Sequence, residues 1–100
     1  MNLQDFSQTI AKLPAKFDTH DFIRMYQLTY PNQFAAMTNN ATRLKAITGV
    51  MGSLLARWAN DLGIVKQPNT VMSPNIMNKK SECGAWEKIN KQVKTNNNND

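Results

Sequence analysis

The chain has 100 residues, 41% of them apolar, and 12 lysines and arginines against 7 acids give it a net charge of +5. That length suits one domain around one core and excludes two independent ones, and a single cysteine, Cys83, excludes an intramolecular disulfide. The N-terminus has neither the basic start nor the unbroken apolar run of a signal peptide, and no segment approaches the roughly 20 apolar residues that span a bilayer, so a cytoplasmic protein without a membrane partner is expected.

Leu3, Phe6, Ile10 and Leu13 recur at steps of three and four, which predicts a first helix ended by Pro14. Asp18 or Thr19 caps a second helix over His20 to Thr29, with Phe22, Ile23, Tyr26 and Tyr30 on its apolar face. Pro31 suits the first position of a short third helix that turns Phe34 and Met37 inward and closes at Asn39-Asn40. From about Ala41 to Leu62 the apolar residues Leu44, Ile47, Met51, Leu54, Trp58 and Leu62 again keep helical steps. Gly49 and Gly52 interrupt this segment, each at a cost of roughly 1 kcal/mol relative to alanine. Two explanations stand side by side: a turn at Gly49 that splits the segment, or one straight helix with a groove of Gly49, Gly52, Ser53 and Ala56. Gly63 is a natural helix stop. Ile64-Val65-Lys66 and Thr70-Val71-Met72 flank Gln67-Pro68-Asn69 as a short hairpin, and Ser73 to Lys80 reads as irregular loop. Ser81 then caps a closing helix lined by Trp86, Ile89 and Val93, and a polar tail over 95–100 is expected to be disordered. The expected fold is mainly α, a single compact helical domain over 1–94 with a short β-hairpin and a closing C-terminal helix.

Charge divides the chain unevenly. Residues 1–42 hold three bases and three acids, whereas residues 43–94 hold nine bases and three acids. A basic half suits an anionic polymer, because each cation that neutralises a phosphate releases a condensed counterion. In Gly49 to Asn60 a glycine is followed by apolar Val50, small polar Ser53, apolar Leu55, and then Arg57 and Asn60. This pattern, together with the order of helices before a hairpin over about residues 22–72, resembles a winged helix-turn-helix module. Lys45, Met51 and Gly52 depart from the family's usual residues. The resemblance implies a non-enzymatic protein that binds double-stranded DNA, as a regulator does, with a helix from about Met51 to Leu62 in the major groove. Ser53, Arg57 and Asn60 would face the bases, Arg57 reading guanine and Asn60 adenine, while Arg43, Lys45 and Lys66 would contact phosphates.

Other residues invite plainer readings. Trp58 and Trp86 stand at core spacing, and the Lys88, Lys91, Lys94 stripe suits the cation-favouring end of a helix. His20 and Cys83 are the chain's only histidine and cysteine and lie far apart in sequence, too few for a zinc site or a cysteine nucleophile. His20 reads as a surface or capping residue and Cys83 as a small half-buried one. No enzyme, metal, cofactor or small-molecule substrate is therefore expected. The alternative to DNA is a protein partner or homodimer that packs on the Gly49, Gly52 and Ala56 face, since small residues permit close helix approach.

Overall fold

The computed structural model describes residues 2–89. The expected tail, Val93, Lys91 and Lys94 lie outside them. Helix α1 (Leu3–Ala11) begins where Asn2 Oδ1 accepts the Asp5 amide at 2.8 Å and buries Phe6, Thr9 and Ile10. Strand β1 (Lys16–Asp18) leads into α2 (Thr19–Thr29), whose start is a reciprocal cap. Asp21 N donates to Asp18 Oδ1 at 2.7 Å and Asp18 N donates to Asp21 Oδ2 at 3.0 Å. Of the two expected caps, Asp18 serves, and such a cap stabilises by about 1 kcal/mol. Tyr30 separates α2 from α3 (Pro31–Met37), with Pro31 at the helix start as expected.

Helix α4 (Ala41–Arg57) starts at Asn40, whose Oδ1 accepts the Arg43 amide at 2.9 Å, and runs without interruption through Gly49 and Gly52. The turn that the helix-turn-helix pattern placed at Gly49 is therefore absent. The chain breaks at Trp58 instead and continues as the four-residue α5 (Ala59–Leu62). Gly63 ends it with φ of 71°, a left-handed value that glycine adopts without a steric penalty.

Beyond Gly63 the fold departs most from expectation. Four strands follow: β2 (Ile64–Lys66), β3 (Val71–Pro74), β4 (Lys80–Cys83) and β5 (Ala85–Lys88). They form a three-stranded antiparallel sheet in the order β1-β5-β2 and a two-stranded sheet of β3 and β4. The fold is α+β rather than mainly α, and no closing helix occupies residues 81–88. Trp86 explains the difference. On β5 it stands opposite Phe17 on one side and Lys66 on the other, and its ring is buried. Its Nε1 donates to Thr19 Oγ1 at 3.0 Å, and Thr19 N in turn donates to Gly84 O at 2.9 Å. Burial of a tryptophan between two strands outweighs a weak helical periodicity. Lys88 belongs to β5, where its Nζ donates to Leu13 O at 2.6 Å, which accounts for it without a phosphate.

The expected 64–72 hairpin is also replaced. β2 pairs with β5, and Gln67 N extends that ladder to Ala85 O at 2.8 Å. β3 pairs with β4 through a turn that reading the segment as loop had missed. Asn75 Oδ1 holds the turn by accepting Met77 N at 2.8 Å and Lys79 N at 3.2 Å, and Asn78 takes φ of 61°, which asparagine tolerates better than most residues.

The helices and the larger sheet enclose one aromatic centre. Phe6 is fully buried, 4.6 Å from Phe22, 5.7 Å from Tyr26 and 5.1 Å from Trp58 between ring centroids. The Tyr26 hydroxyl is buried there and finds no hydrogen-bond partner among the described residues. Burial first, then the nearby Asp5 and Tyr30, raise its pKa above the ordinary phenol value. Above about pH 10 the unfolded chain releases this proton before the folded one does, so the contribution is intact below that pH and lost as pH rises beyond it. Tyr26→Phe is expected to raise stability by about 1 kcal/mol at neutral pH and to flatten the alkaline loss. Urea unfolding across the alkaline range checks this, and a variant less stable than the parent would contradict it.

Candidate functional site

Helix α4 is buried along Ile47, Met51 and Leu55, which puts its opposite face in solvent. Thr42, Ala46, Gly49, Ser53 and Ala56, at alternating steps of four and three, form the middle of that face and are all exposed. Arg43, Val50 and Arg57 succeed one another every seven residues along one edge. Lys45 and Gly52 keep the same spacing along the other. No aspartate or glutamate occurs anywhere in α4. Arg43 and Arg57 stand about 21 Å apart along the axis at 1.5 Å per residue.

Gly52 and Gly49 differ in surroundings. A Cβ on Gly52 would meet Thr19 at 3.9 Å, so this glycine faces α2, whereas a Cβ on Gly49 would meet nothing within 4 Å. Internal packing therefore does not require Gly49. Thr19 also leads to Lys66. Its Oγ1 lies 3.7 Å from where a Gly84 Cβ would stand, and Lys66 Cε lies 3.4 Å from the same point. Thr19 thus lies beside Gly52 and also beside Gly84, which Lys66 Cε approaches.

The structure gathers Arg43, Lys45, Ser53 and Arg57 on one exposed helix face, whereas Lys66, also exposed, belongs to β2. Among the described residues the ion pair present joins Arg24 to Asp21 at 3.8 Å, so these four cations have no carboxylate partner there. Asn60 is exposed but belongs to α5 beyond the break at Trp58. Its expected three-residue step from Arg57 along a single helix is lost.

A second cluster lies at the other end of Thr19's neighbourhood, and the sequence spacing had argued against it. His20 is fully buried rather than at the surface, and Cys83 is buried rather than half-buried. The two meet at 3.4 Å between Nδ1 and Sγ. Ser73 Oγ lies 2.7 Å from Nδ1 and 3.8 Å from Sγ, and Ser81 Oγ lies 3.4 Å from Nε2. With Asp18 the group supplies one carboxylate, one imidazole and one thiol whose donor atoms all lie within 4.8 Å of one another. The β3–β4 hairpin brings them together by folding Cys83 and both serines back onto the start of α2. A sequence read without that hairpin leaves His20 and Cys83 63 residues apart. The only available signal is the Asp-Thr-His-Asp run, which places a carboxylate and an imidazole two residues apart at a helix start.

Comparison of the chain with protein-family models, curated proteins and solved structures finds no match in any of the three. The functional reading thus rests on the geometry of this molecule. No helix of the described residues is long and apolar enough to cross a membrane.

Proposed function

We propose that this protein binds duplex DNA, without enzymatic activity, by laying the exposed face of α4 against the major groove. The observation that carries the reading is the layout of that face: small residues along the middle, cations on both edges and no acid. A duplex presents a matching layout, since its major groove is about 12 Å wide and is walled by phosphates. Small side chains at Ala46, Gly49 and Ser53 let the helix axis approach the base edges. Arg43 and Arg57 on one edge, and Lys45 on the other, meet the two walls. The open surroundings of Gly49 add support, because a solvent-facing helical glycine costs about 1 kcal/mol that nothing within the fold requires.

The reading helix under this proposal is α4 itself, starting at Ala41 rather than Met51, and the helix-turn-helix pattern at Gly49 is not part of it, because no turn forms there. Arg43 and Lys45 then fall near the N-terminal end of the helix, from which helix-turn-helix proteins contact bases and phosphates. A continuous helix through Gly49 would also suit self-association, but the face is not an apolar stripe. Two copies meeting on it would bring Arg43, Lys45 and Arg57 against their own counterparts, and like charges at an interface oppose binding.

Fluorescence anisotropy with random duplex DNA, scanned over salt, tests the proposal. If Arg43, Lys45, Arg57 and Lys66 each neutralise one phosphate, log affinity falls against log salt with a slope of about −3.6. A slope near zero, or no binding at low salt, would refute it.

A further inference from the structure

We infer that Asp18, His20 and Cys83 form a binding site for a borderline-soft divalent cation of the zinc class. The three ligands come from separate places in the fold: the end of β1, the first turn of α2 and the end of β4. The site is independent of the α4 face and would stand if DNA binding failed.

The donor set is one that zinc accepts, a thiolate, an imidazole nitrogen and a carboxylate oxygen. The His20–Cys83 spacing fits as well, while the Asp18 carboxylate, within 4.8 Å of both, would have to draw in by about 1 Å. Bonds of about 2.05 Å to nitrogen and about 2.3 Å to sulfur at a tetrahedral angle set the two ligand atoms about 3.6 Å apart. Nδ1 of His20 and Sγ of Cys83 are 3.4 Å apart. Ser73 Oγ, 3.8 Å from the sulfur, lines the same site, where a water would complete the four ligands. Its 2.7 Å approach to Nδ1 must widen to about 3.4 Å when an ion enters between them, a shift within reach of one serine rotor. The Asp18 carboxylate retains capacity, since the cap of α2 engages Oδ1.

The surroundings supply the support that a metal-bound histidine needs. When Nδ1 holds the ion, Nε2 carries the proton and donates to Ser81 Oγ, now 3.4 Å away, which fixes the ring plane. Without an ion, hydrogen bonds join His20 to Ser73 at 2.7 Å and to Cys83 and Ser81 at 3.4 Å, and an ion would replace the first two of them. On binding, the Cys83 thiol gives its proton to solvent and its sulfur lone pair to the cation, so affinity rises with pH. The bound ion would clamp the β3–β4 hairpin to the N-terminus of α2.

Titration of the reduced, folded protein with Co2+, followed by competition with Zn2+, tests this. The expected result is a thiolate-to-cobalt charge-transfer band in the near ultraviolet with visible bands of tetrahedral intensity, saturating at one ion per chain and erased by Zn2+. Cys83→Ser, close in size to the native residue, should lose the charge-transfer band while circular dichroism shows the same fold. Asp18→Asn should weaken Co2+ binding about tenfold or more. Zn2+ should raise the Tm of the parent and leave that of Cys83→Ser unchanged. Absence of the charge-transfer band in folded parent protein at millimolar Co2+ would overturn the site. So would a band that persists in Cys83→Ser, or saturation at one ion per two chains.

Discussion

Simultaneous replacement of Arg43, Lys45 and Arg57 by glutamate is expected to weaken binding to duplex DNA by on the order of a thousandfold at about 50 mM salt, and to flatten the salt dependence by nearly three units of slope. Each lost phosphate contact removes about one released counterion, and the three cations form most of the α4 edges. The fold should persist, because all three side chains are exposed and carry no ion pair among the described residues. Their effects on the helix also offset. A glutamate at Arg43 sits in the first turn of α4, where a negative charge is favoured, and one at Arg57 sits in the last, where it is not. Anisotropy beside circular dichroism gives both readouts. A folded triple variant that binds as tightly as the parent would place the interface elsewhere.

The largest expected effect on stability belongs to Phe6→Ala. The ring is fully buried and packs against Phe22, Tyr26 and Trp58 together, so its loss leaves a cavity that three large rings cannot collapse to fill. Such a truncation costs about 3–5 kcal/mol, comparable with the whole stability of a small domain. Urea unfolding followed by tryptophan fluorescence should show a variant largely or wholly unfolded at 37 °C. Phe6→Leu, which keeps much of the volume, should lose distinctly less. A Phe6→Ala variant within 1 kcal/mol of the parent would mean that α1 does not dock on α2 and Trp58 as described.

In the N-terminal two thirds the helix starts and ends were legible because their signals are local, whereas strand β1 and the break at Trp58 were not. The apolar steps of Leu3 to Ile10, the Asp18 cap, Pro31 at a helix start and Gly63 at a helix end each act over a single turn of chain. The last third was not legible. β5 exists because Trp86 lies between Phe17 and Lys66, partners 69 and 20 residues away. Nothing in the Ser81 to Ile89 stretch records that pairing, and the spacing of Trp86 and Ile89 mimics a helix. The hairpin after Gly63 failed for a related reason. Pro68 and Asn69 do mark a turn, but the strands on either side belong to different sheets.

Site residues divide in the same way. Arg43 and Lys45 come onto the same helix as Ser53 and Arg57 only because α4 runs straight through Gly49, where the helix-turn-helix pattern expects a turn between them. Asn60 falls off that helix, since the break at Trp58 comes without a glycine or proline to announce it. The Asp18, His20 and Cys83 cluster is not legible in the sequence because it depends on the β3–β4 hairpin, whose turn carries the residue pattern of an irregular loop.

Titration of 15N-labelled protein with a short duplex, read from amide chemical shifts, tests whether DNA lies on the exposed face of α4. The largest shifts are expected on Thr42, Arg43, Lys45, Ala46, Gly49, Ser53 and Arg57, with Lys66 also moving and α1 nearly unchanged. Shifts concentrated away from α4, or none at saturating duplex in low salt, would contradict it.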